Sequence, residues 1–171
     1  VMFEFKHNEE INIDLVEAFA ALGFEMYRFH KGPGVLVPFK QDAPLDPLWL
    51  NLFCCRADRA AALEKDNLLT TEPPEDNTLA VGHSSDMECS DPTEVMQTVI
   101  RLFEMSNDRH YPAAQRINAL YSAFNLARES FAHELSLPRL ATLERLADAL
   151  GHRRRAYDYM NLAKDMLDSF V

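Results

Sequence analysis

A chain of 171 residues, 47% hydrophobic and 26% charged, has globular rather than disordered composition and fits one domain or two small ones. A net charge of −10 works against binding to nucleic acid and anionic membrane. No apolar run approaches the roughly 18 residues needed to span a bilayer, and the opening VMFEFKHNEE lacks the basic-then-apolar pattern of a secretory signal, so a cytoplasmic location without membrane contact is expected.

The charge is uneven. Residues 1–108 carry 8 Lys and Arg against 20 Asp and Glu, whereas residues 109–171 carry 9 against 7. The division predicts an acidic α/β region at 1–107 and a helical region at 111–171, either separate or packed as one domain.

In chain order, MFEFK at 2–6 alternates apolar and polar as a half-buried strand does. Asn12 is placed to cap a helix with an apolar stripe of Leu15, Val16, Phe19 and Leu22, closed by Gly23. FEMYRFH at 24–30 and VLVPF at 35–39 flank the turn KGPG and predict a hairpin, with Pro38 pushing its strand to the sheet edge. WLNLFCC at 49–55 fits either a strand or a buried helical turn. Residues 57–69 are rich in helix formers, TTEPPEDN at 70–77 is an acidic loop, and TLAVGH at 78–83 predicts a strand. Asp91 with Pro92 and Glu94 opens a helix bearing Val95, Val99, Leu102 and Phe103 on one face. SNDRHYP at 106–112 breaks the pattern. Three amphipathic helices follow, with stripes through Ile117–Leu135, Leu140–Leu150 and Tyr159–Phe170.

Three cysteines, two of them adjacent, make no disulfide framework. Cys54, Cys55, His83 and Cys89 are metal-binding residue types, but neighbours on a strand point to opposite faces, and the spacing is not that of a zinc knuckle. The loop GHSSDMECSD at 82–91 places His83, Ser84, Ser85 and Asp86 too close together for a triad, although the helix after it could receive an anion. Neither metal nor cofactor is expected.

Three clusters carry the functional readings. Arg153, Arg154 and Arg155 open the last helix, where cations oppose the helix dipole; they are expected to meet acidic groups of this chain, an anion or a partner. The segment Pro138-x-Leu140-x-Thr142-Leu143-x-x-Leu146-Ala147-x-Ala149-Leu150-Gly151 resembles the closing helices of lambda-repressor-like helix-turn-helix domains. Slid by one helix, the resemblance makes Arg139, Thr142 and Arg145 the base-reading residues, yet the four leucines at core spacing mark packing material, with Gly151 as a left-handed cap. Arg128 and His133 form an R-x4-H pair similar to the ribonuclease motif of helical HEPN domains. Five residues apart they sit about 140° apart around a helix, so that chemistry requires pairing across a dimer.

The expectation is an α+β fold, a small β-sheet with flanking helices followed by a C-terminal three-helix segment. The expected function is a cytosolic, non-catalytic regulator or adaptor that binds another protein or its own copy, in the broad class of immunity proteins, antitoxins and secretion chaperones. The alternatives are a DNA-binding transcriptional regulator reading through its C-terminal helices and a ribonuclease.

Overall fold

The structure, a computed structural model, describes residues 1–4, 6, 7, 10–40, 46, 48, 51–72, 92–131 and 135–169. In chain order the elements are β1 (Met2–Glu4), β2 (Lys6–His7), β3 (Glu10–Ile11), α1 (Ile13–Ala21), β4 (Glu25–His30), β5 (Val35–Pro38), β6 (Asn51–Cys55), α2 (Ala57–Lys65), α3 (Pro92–Asn107), α4 (Ala113–Phe131), α5 (Leu137–Leu150) and α6 (Arg153–Asp168). The fold is α+β with its helices gathered toward the C-terminal side, as the sequence predicts. The strand expected at 78–83, the cap at Asp91, the loop at 82–91 with His83 and Cys89, and His133 all lie outside the described residues.

Four strands form an antiparallel sheet in the order β1-β6-β4-β5, and β2 pairs separately with β3. The ambiguous stretch at 49–55 is therefore a strand from Asn51 onward, placed between β1 and β4. Pro38 stands on an edge strand, where a missing N–H leaves no gap in the ladder. That edge is closed by the residues after α2: Leu36 N–H donates to the Leu68 carbonyl at 2.9 Å, and Thr70 N–H to the Leu36 carbonyl at 3.0 Å.

Strand alternation distributes the core over both faces. On one face Leu52 packs with Val16 of α1, while Val35 and Val37 pack with Ala113 and Ile117 of α4. On the other, Tyr27 and Leu36 meet Ala60 and Leu63 of α2. The largest cluster is helical and joins Val95 and Val99 of α3 to Phe124 and Phe131 of α4, Leu143, Leu146 and Leu150 of α5, and Ala156 of α6. Every leucine of the α5 stripe is buried.

The hairpin between β4 and β5 also binds the sheet to the helices. The hairpin turn is seated on the end of α5: Gly32 N–H donates to the Ala149 carbonyl at 3.0 Å. A Cβ on Gly32 would stand 2.6 Å from the Ala149 Cβ, so only glycine permits this approach. Beneath the turn, Arg116 of α4 is 2% exposed. Its guanidinium donates to the carbonyls of Asn67 (3.0 Å), Ser106 (3.3 Å) and Pro33, gathering three segments. Burial draws its pKa below the usual arginine value, and the carbonyl oxygens replace the water that a buried cation would otherwise lack.

Candidate functional site

The three consecutive arginines have three environments. Gly151 ends α5 with φ +78, the left-handed cap expected of it, and its N–H returns to the Asp148 carbonyl at 2.9 Å. Two residues later α6 begins, with no hydrogen bond from the His152 side chain to cap it. The cap comes instead from far along the chain. An Asp46 carboxylate oxygen accepts from Arg154 N–H at 3.0 Å, while the other accepts from Leu48 N–H at 2.8 Å. A carboxylate there satisfies an orphan donor and suits the positive end of the helix dipole. The Arg154 side chain lies 3.2 Å from Asp158, one turn on. Arg155 places its guanidinium 5.9 Å from the Phe124 ring centre, within range of a cation–π contact. Arg153 borders a groove.

That groove, about 260 Å³, is lined by Met2, Phe29, Lys31, Asn51, Phe53, Asp148, Gly151 and Arg153. Its floor follows from strand register. Met2 lies opposite Phe53, and the β4–β6 pairing puts Phe29 and Phe53 on one face, their ring centres 5.7 Å apart. Helix α2 covers this face around Tyr27, yet Phe29 remains 41% exposed and Met2 59%. The rim is polar. Lys31, in the turn seated on α5, pairs with Asp148 at 2.9 Å, and both side chains remain solvent-accessible. Such a pair contributes about 0–1 kcal/mol, so it costs little to rearrange around a ligand. Arg153 adds a second cation at the start of α6.

Behind the groove, on the opposite face of β4, His30 is fully buried with its ring 5.9 Å from Tyr121. Tyr121 leads to His152 at 6.3 Å, and His152 to Phe124 at 5.8 Å. Burial first, then the neighbouring charges of Arg28 and His152, lowers the His30 pKa to about 3. The ring is neutral at ordinary pH and serves the core.

The other described residues singled out from sequence do not gather into one site. Arg139 lays its guanidinium 5.3 Å from the Phe131 ring, and the Thr142 hydroxyl donates to the Pro138 carbonyl of its own helix at 2.9 Å. Arg145 is exposed on the side of α5 away from its leucines. Arg128 is exposed in the last turn of α4, while its proposed partner, His133, lies outside the described residues. Cys54 is buried and Cys55 half-buried on opposite faces of β6, as adjacent strand residues must be. Among the described residues, no group of three or more His, Cys, Asp and Glu side chains is placed to hold a metal ion. No helix among them is long and apolar enough to cross a membrane.

The groove was missed in sequence because it is assembled from β1, β4, β6 and the α5–α6 corner. One signal was available: Phe29 and Phe53 belong to strands whose opposite faces are needed for the core. No protein-family model, curated protein or solved structure matches the chain.

Proposed function

We propose that the chain is a non-catalytic, cytosolic protein-binding regulator or adaptor, holding an extended segment of another protein in the groove between the sheet and the α5–α6 corner. The observation that carries this reading is the floor of exposed Phe29 and Met2 and half-buried Phe53 beside Arg153. Aromatic anchors beside an arginine are the residue types that dominate binding energy at protein interfaces. The polar groups of the rim are two cations, an amide and one carboxylate already paired with Lys31. They favour a segment with apolar side chains for the floor and a carboxylate for Arg153.

Affinity purification from nuclease-treated lysate, comparing the natural chain with Phe29→Asp, tests the reading. A defined protein that co-purifies with the natural chain and is lost from Phe29→Asp supports it. Equal recovery by both proteins, or capture that vanishes on nuclease treatment, refutes it.

A further inference from the structure

Helix α6 turns an apolar stripe outward as well as one inward. Ala156 belongs to the helical core and Tyr159 packs against it. Within a third of a turn of Ala156, Tyr157, Met160 and Leu167 are 52%, 53% and 53% exposed. With Arg153 and Lys164 they recur at alternating intervals of three and four residues, the spacing of a helix seam that packs against another helix. The helix is also electrically polar. Its first turn carries Arg153, Arg154 and Arg155, with Asp158 the one acid of that half, and its last five residues carry Asp165 and Asp168 beside Lys164, Asp168 flanking the seam. A helix so charged repels a parallel copy of itself and attracts an antiparallel one.

We propose that α6 is a self-association surface, with two copies of this chain packing their α6 helices antiparallel across a twofold axis near Met160 and Asn161. The axis brings Arg153 of each copy to Asp168 of the other and lays Tyr157 along the Lys164 stem. Met160 packs at the centre. Asp168 is within 3.8 Å of Lys164 in its own helix, an exposed pair that contributes little and yields readily to a new partner. The interface is isologous and closes at two copies. One helix of 16 residues is about 24 Å long. It buries less than the roughly 800 Å² per partner of a standard interface, so the dimer is weak and concentration-dependent. This surface shares Arg153 with the rim of the groove but not its apolar floor, so Met160→Glu and Asp168→Arg act on the dimer alone and Phe29→Asp on the groove alone.

Sedimentation velocity over roughly 1 μM to 1 mM, a range that brackets weak association, tests the inference on the full chain. The natural protein is expected to move from monomer to dimer across the range. Met160→Glu is expected to remain monomeric with unchanged circular dichroism, and Phe29→Asp to dimerise normally. Arg153→Asp and Asp168→Arg are each expected to weaken the dimer at least tenfold. Combined in one chain they are expected to restore it, because the two positions are about 22 Å apart along a single helix and meet only between copies. A monomer at every concentration, a dimer indifferent to Met160→Glu, or a double variant no better than the singles would overturn the inference.

Discussion

Gly32→Ala is the sharpest test of how the sheet is fastened to the helices. The added methyl would stand 2.6 Å from the Ala149 Cβ and 3.2 Å from its Cα, whereas carbon atoms in contact prefer about 3.5–4.0 Å. Ala149 is 6% exposed and sits in α5, so it has no rotamer with which to yield. The turn must lift by about 1 Å, with an overpacking cost of about 1–3 kcal/mol. Lifting also lengthens the 3.0 Å bond from Gly32 N–H to the Ala149 carbonyl, worth about 1 kcal/mol. Lower entropy of the unfolded chain returns about 0.4–1 kcal/mol. The net loss is about 1–3.5 kcal/mol, or roughly a 0.5–2 M drop in urea midpoint for a chain of this size. Gly34→Ala is the control: its φ is +65 but a Cβ there meets nothing within 4 Å, so it carries only the left-handed backbone cost of about 1–2 kcal/mol. Gly32→Ala lying within 0.5 kcal/mol of the natural protein, about the scatter of a neutral surface substitution, would refute the seating of the turn on α5.

Further outcomes are expected from other parts of the molecule. Because folding lowers the His30 pKa from 6.5 to about 3, its contribution is full above pH 6.5 and is lost as pH falls toward 3, at about 1.4 kcal/mol per unit. Urea unfolding at pH 6.5 and pH 5 should differ by about 2 kcal/mol from this residue, and His30→Phe should flatten that dependence. Asp46→Ala removes the acceptor of Arg154 N–H and should lower stability by about 0.5–2 kcal/mol, with hydrogen exchange rising in the first turn of α6. Arg116→Met leaves the carbonyls of Pro33, Asn67 and Ser106 without their donor; at about 1–3 kcal/mol for each buried acceptor, the loss should exceed that of any single apolar truncation on α1, as measured by thermal unfolding.

Much of the fold was legible because its signals are local. Asn12 accepts from Leu15 N–H at 3.0 Å, Gly151 caps α5, Pro38 marks an edge, and Leu140, Leu143, Leu146 and Leu150 face the core. Each follows from a dihedral preference or a period that the neighbouring residues reveal. The candidate site was less legible because its parts meet only after folding. Arg153, Arg154 and Arg155 were identifiable as cations at an unfavourable helix end, and Asp158, which meets the Arg154 guanidinium, is a local partner, but nothing near them names Asp46 as the carboxylate that caps the backbone N–H of Arg154. Arg116 gives no signal either, since an arginine in a helix ordinarily faces water, and its partners here are backbone carbonyls without a sequence signature. In the segment 138–151 that resembles a helix-turn-helix, the leucines serve the core, and two of the three candidate base-reading side chains are engaged within their own surroundings.

The Asp46 cap also bears on how the chain can be divided. Composition suggests a cut near residue 108, between an acidic part and a nearly neutral one. A fragment beginning there would retain the three arginines at the start of α6 but lose the carboxylate that makes this a tolerable place for them. It would also lose the hairpin turn that sits on α5 and all three of the carbonyls that hold Arg116. The expected product is a set of helices with a frayed, strongly basic corner, prone to capture nucleic acid nonspecifically. DNA binding measured on such a fragment would have to be repeated on the whole chain before it was assigned to the protein.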